Sequence, residues 1–250
     1  MADQSDQAET SRRLWMDDSL GDIFPPEGTG SLCEFAVSFI KIQSFLVYIL
    51  EYVRDHAMLN RLIDIYGESL ASSPADDPYK MLGYHKQFLL EVILSRHVDN
   101  YLCFLSSILK ECLLSRPEAM LALETSISLE MVLSHESKES LLQTVAEDEV
   151  QRLSYKSFGD LARFFGKNLK IKIANELQKS KIIQAIEIRN ISIHNRCVID
   201  KKYCRKTGTD QAQAGSVMIL DYDHLKEIAK ALAASAIHSD SELSEKYRLQ

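Results

Sequence analysis

Between Glu187 and Asn195 the chain reads Glu-Ile-Arg-Asn-Ile-Ser-Ile-His-Asn, bringing a guanidinium, a primary amide and an imidazole together in one short run. That set suits cleavage of an RNA phosphodiester without a metal. The reaction needs a group that moves a proton to or from the 2′-hydroxyl or the leaving oxygen near neutral pH. Histidine, with an unperturbed pKa of about 6.5, fills that role, which makes His194 the candidate acid or base. It also needs a fixed cation where charge collects on phosphorus. Arg189 keeps its proton and offers a planar fork that lysine cannot reproduce. Asn190 can hydrogen-bond the phosphate or the ring of His194, and Glu187 can orient an imidazolium. Taken singly, each has a plainer explanation: His194 as a structural histidine near a helix end, Arg189 as a surface arginine paired with Glu187.

Helix geometry complicates the arrangement. At about 100° per residue, Glu187, Asn190 and His194 share a face within about 60°, whereas Arg189 and His194 lie about 140° apart. One straight helix does not aim both at one phosphate. Three arrangements would: the helix ends or bends near Ser192, the long arginine side chain wraps round, or a second copy of the motif completes the cleft.

The charge around this run is unlike that of the whole chain. The 250 residues carry a net charge of −7, which by itself discourages a nucleic-acid partner. From Arg152 to Lys206, however, 14 Lys and Arg face 4 acidic residues, a net +10 that leaves −17 for the rest. Cations gathered in one segment can form a polyanion-binding face even in an acidic protein; a solvated helix surface with scattered lysines is the plainer alternative. Arg196, Lys201, Lys202, Arg205 and Lys206, together with Asn195, are the candidates to follow an RNA backbone through phosphate contacts, which give affinity rather than sequence choice. Tyr203 is a candidate to stack on a base, although packing the helix end suits it as well.

The elements that must position these groups are helical. Only 9 Gly and 5 Pro occur, too few for a turn-rich all-β chain. Residues 1–30 form an acidic arm expected to be flexible, with Leu14, Trp15 and Met16 as a docking patch. Residues 31–250 form the helical domain. Leu32, Phe35, Phe39, Ile42, Leu46, Ile49, Leu50 and Val53 recur at helical spacing behind a Ser31/Glu34 capping box, predicting a first helix that reaches about Ser69. The Pro74 to Pro78 stretch breaks it. A second helix is predicted over 81–114, a third from Pro117 to about His135, another from Ser137, and a buried one over 179–198 after a junction at Ser157. A polar loop over 207–216, a short irregular or β-like insert near 217–220 and a final helix from Asp221 complete an all-α bundle.

The same pass narrows the chemistry. The five Cys form no CxxC pair and leave an odd one over, as expected of reduced thiols in a cytoplasmic protein. The apolar stretch from Phe35 to Val53 is interrupted by Lys41, Gln43 and Glu51, so no membrane span is expected. No HExxH, Walker A or GxGxxG string occurs, and His56, His85, His97 and His135 lack partners at ligand spacing. No cofactor and no metal are therefore expected.

The string Arg189-Asn190-x-x-x-His194-Asn195, followed by Asp200-x-x-Tyr203, resembles the signature of the HEPN-domain superfamily, most of all its RiboL-PSP-HEPN branch. Val98-Asp99-Asn100-Tyr101 and Arg116-Pro117-Glu118, within the Tyr84 to Arg116 region, are similar to that branch too, and the resemblance covers roughly residues 31–235. It implies a HEPN-like helical bundle and a metal-independent endoribonuclease acting as a homodimer in which two motifs face each other, with Arg189 and His194 essential. It further implies a toxin or an antiphage or stress effector, restrained by an antitoxin or sensor partner. A non-catalytic HEPN-like module that binds RNA, a nucleotide or a protein is the alternative, because fold does not fix function.

Overall fold

Leu90, Leu94, Val98, Tyr101, Leu105, Ile108, Leu109 and Cys112 follow one another at helical intervals, and all are buried, so the helix that carries them is enclosed by its neighbours. In the computed structural model, which describes residues 23–25, 27–54, 78–122 and 126–249, that helix is α2 (Pro78–Ser115). It is preceded by α1 (Gly30–Arg54) and followed by a 3₁₀ segment (Pro117–Ala122), α3 (Leu129–Ser134), α4 (Lys138–Ser154) and α5 (Phe158–Phe164). A π-helical turn (Phe165–Leu169), α6 (Glu176–Asn195), α7 (Lys201–Thr207), a 3₁₀ turn (Gln211–Gln213) and α8 (Tyr222–Tyr247) complete the order. Helices α1, α4, α6 and α8 all pack on α2, and α8 also packs on α6. The described residues are all-α; their only β pairing is an isolated antiparallel bridge, Val198 to Val217.

Several boundaries differ from expectation. The N-cap of α1 is Thr29, whose hydroxyl accepts from Leu32 N, while Ser31 is drawn off to the Glu111 carboxylate on α2, so no Ser31/Glu34 capping box forms. The end of the acidic arm is not loose: Phe24 sets its ring edge-on to Phe35 and Phe39 at 5.8 and 5.4 Å. Thr29 is buried and donates to Asp240 on α8. Residues 14–16, the stretch to Ser69 and the break after Ser72 lie outside the described residues. The expected third helix is two pieces, because Ser128 starts a new one by accepting from Met131 N. Helix α7 is an element the sequence reading missed, closed by Asp200 at one end and Gly208 at the other. The 217–220 stretch is extended but forms no sheet.

By length and composition alone, Gly30–Ile49 suffices to cross a bilayer, with a mean hydropathy of 1.6. In the fold its Leu32, Phe35, Phe39 and Leu46 are buried in the core shared with α2.

One buried polar contact carries a pH prediction. Gln43 Nε2 of α1 lies 3.0 Å from His97 Nε2 of α2, and burial holds the imidazole down to about 3, so the folded ring stays neutral. The unfolded ring binds a proton below about pH 6.5 and the folded one does not. Stability is therefore full above that pH and is lost as pH falls toward about 3, by up to about 1.4 kcal/mol per pH unit. Urea unfolding from pH 7 to pH 4.5 checks it: His97→Gln should show a shallower fall than wild type, and identical slopes would remove the neutral buried ring from the account.

Candidate active site

Helix α6 is fixed at both ends by local chemistry. Asn175 and Gln178 form a reciprocal capping box at its start. Ile182, Ala185, Ile188 and Ile191, at three-residue spacing, bury its inner face. At its end Arg196 and Cys197 both take left-handed backbone angles, φ 50° and 59°, and Cys197 N donates to Ile191 O, closing a Schellman-type stop. Two successive non-glycine residues at positive φ store strain directly after His194 and Asn195, and such strain gathers at functional sites.

The helix runs unbroken through Ser192 to Asn195, so it does not end between Arg189 and His194. Arg189 does not wrap toward His194 either. Its Nη2 pairs with Asp99 Oδ1 of α2 at 3.1 Å and its Nη1 reaches Asn190 Oδ1 at 3.5 Å, which aims the guanidinium across the α2–α6 interface. The arginine side chain is 28% exposed, so one edge stays open to solvent, and its Nε is buried with no hydrogen-bond partner among the described residues. A half-buried cation on a carboxylate leash is ordered before any phosphate arrives.

His194 is exposed on the last turn of α6, within reach of a solute. Glu187 is elsewhere in function as well as in space. It is buried, and its Oε1 accepts from Lys206 Nζ of α7 at 2.5 Å. It therefore anchors α7 and does not orient the His194 imidazole, nor does it pair with Arg189. A buried carboxylate takes the nearest cation that can neutralise it. Asn190 is half-buried beside Arg189.

The basic segment divides. Arg152, Arg163, Lys181, Arg189 and Lys206 are held in ion pairs, so Lys206 is committed to Glu187 and not to a phosphate. Arg196, Lys201, Lys202 and Arg205 are exposed and cluster at the end of α6 and along α7. Asn195 is also exposed, but its Nδ2 donates to Val198 O at 2.6 Å and closes the turn. Tyr203 is 1% exposed; its ring packs α7 into the core, so of its two expected roles the packing one holds and it is withdrawn as a base-stacking residue. Cys197 adds no nucleophile here: burial pushes its thiol up to about 11, against a hydrogen bond with Ser192 Oγ at 3.0 Å.

Asp99 is the residue whose role sequence reading missed. It stands in the Val98-Asp99-Asn100-Tyr101 string, but 90 positions separate it from Arg189, and only the packing of α2 on α6 joins them. No family model, no curated protein and no solved structure matches this chain.

Proposed function

We propose that the chain is a metal-independent endoribonuclease of the HEPN type that cleaves RNA as a homodimer, with Arg189 and His194 as catalytic residues. The observation that carries this reading is the ordered, partly open guanidinium of Arg189 on the same helix as an exposed His194, next to exposed cations. Arg189 would meet charge on the phosphate, and His194 would move the proton. Asn190 steadies the arginine.

A second copy supplies what one helix lacks. Within one chain α6 continues past both residues and Arg189 is turned to α2, which supports a facing motif as the arrangement by which both groups reach one linkage. Phe88, Val92 and Asp99 fall on one face of α2, and Ile193 lies one turn beyond Arg189 on α6. Phe88, Val92 and Ile193 are exposed at 67%, 39% and 52%, the kind of apolar surface that subunits cover. The resemblance adds the biological setting, an RNA-cleaving toxin or antiphage or stress effector held in check by an antitoxin or sensor partner.

The Arg189–Asp99 pair also favours the non-catalytic reading, in which the motif only holds helices together. Incubation of purified protein with structured and unstructured RNA in excess EDTA separates the two. Arg189→Ala should abolish cleavage, by about 10²-fold or more if the guanidinium stabilises developing charge, while dimer mass and melting temperature hold. Loss of fold together with activity would assign the pair to structure.

A further inference from the structure

Asn190 touches Arg189 on one side and a cavity on the other. The cavity, about 310 Å³, lies between α2, the α4–α5 junction, α6 and α7. Its walls include Leu153, Phe158, Ile183 and Ile186, and its polar groups include Glu187, Asn190 and Lys206. An apolar slot with a few convergent polar groups is what a small planar ligand needs, and this volume is at the lower end of small-molecule sites.

We infer that this cavity is the base pocket of the proposed nuclease and that it selects guanine. The inference rests on the RNA reading above for its substrate class. A base held here places its own sugar and phosphate at the cavity edge, where Asn190 Oδ1 lies 3.5 Å from Arg189 Nη1. The base identity follows from hydrogen-bond inventory. Lys206 donates to Glu187 Oε1, and Oε2, for which no hydrogen bond is seen among the described residues, is assigned to the ligand. A carboxylate accepts only, so it favours a base edge that presents adjacent N–H donors and repels one that presents acceptors. Guanine offers N1–H and the 2-amino group side by side. Adenine and cytosine place a bare ring nitrogen beside their amino group, and uracil flanks its single N–H with carbonyls. The Asn190 amide is then placed to meet the O6 or N7 side of the ring, while the apolar walls cover its faces.

This assignment gives Glu187 and Lys206 a joint role that the motif alone does not. Lys206 holds Glu187 in a fixed, buried position, so the carboxylate is presented to the base without rearranging.

The test titrates the full chain calorimetrically with GMP, AMP, CMP and UMP at low salt. GMP should bind at least about tenfold more tightly than AMP, because a site built for N–H donors rejects a ligand lacking them. Ser106 lines the same cavity from α2 and, among the described residues, hydrogen-bonds only its own helix, at Leu102 O. Ser106→Trp should fill the space and abolish GMP binding, Ser106→Ala should keep it, and His194→Ala should keep it too, since His194 does not line the cavity. Equal affinity for GMP and AMP overturns the assignment, as does undiminished GMP binding by a folded Ser106→Trp protein. The wild-type comparison stands even if that variant fails to fold. Failures separate cleanly: intact RNA with GMP bound removes the nuclease and leaves the pocket, whereas RNA cut without regard to guanosine, with GMP unbound, removes the pocket and leaves the nuclease.

Discussion

If the chain is the proposed nuclease, His194→Ala should lower RNA cleavage by about 10²–10⁴-fold in excess EDTA, the usual worth of a positioned acid or base, and should leave the melting temperature in place. The second half of that expectation is as informative as the first. His194 is exposed on the final turn of α6 and takes no part in the stripe of Ile182, Ala185, Ile188 and Ile191 that holds the helix down. Surface substitutions of that kind cost within about 0.5 kcal/mol. If the imidazole acts only in proton transfer, kcat should fall and KM should not, since an interaction made only in the transition state does not hold the ground-state substrate. Single-turnover cleavage of a labelled oligoribonucleotide, beside a thermal melt of the same preparation, measures both. A rate within twofold of wild type, on an RNA that wild type does cut, would falsify the assignment of His194.

The parts of the molecule legible in the sequence are those set by neighbours along the chain. Apolar residues three and four apart predicted α1, the apolar content of 179–198 marked α6, and Ser137, Ser157 and Asp221 cap α4, α5 and α8, where a helix start or junction was expected. Where a residue's partner comes from far away, the reading failed. Ser31 and Glu34 have the spacing of a capping box, but Glu111, 80 positions on, takes the serine and Thr29 takes the cap. Glu187 and Asn190 share a helical face with His194, yet that face runs from core to solvent along its length. The carboxylate is consequently spent on Lys206 before it can reach the imidazole. Helix α7 was within reach, since Asp200 and Gly208 are its two caps; reading 201–206 only as cations obscured them. The gathering of these residue types on one helix was legible, and their division between a clamped Arg189 and an exposed His194 was not.

Ile188→Ala should do the reverse of His194→Ala: cost the fold heavily and the chemistry little. Ile188 lies between Glu187 and Arg189 and is fully buried in the core cluster. Removing its branched side chain forfeits transfer free energy and leaves a cavity that the packed helices cannot fully close, at about 2–5 kcal/mol. For a chain of this size each kcal/mol moves the melting temperature by about 2–4 °C, so a fall on the order of 10 °C is expected in a thermal melt. Arg189 is also held from outside the core, by Asp99 on α2, and that contact does not depend on the isoleucine. Below the new melting temperature, cleavage should therefore stay within a few-fold of wild type. If Ile188→Ala instead loses activity while still folded, the geometry of Arg189 is set by packing beneath α6 and not by its carboxylate partner. Asp99→Asn, which removes the charge and keeps the shape, would then be nearly silent.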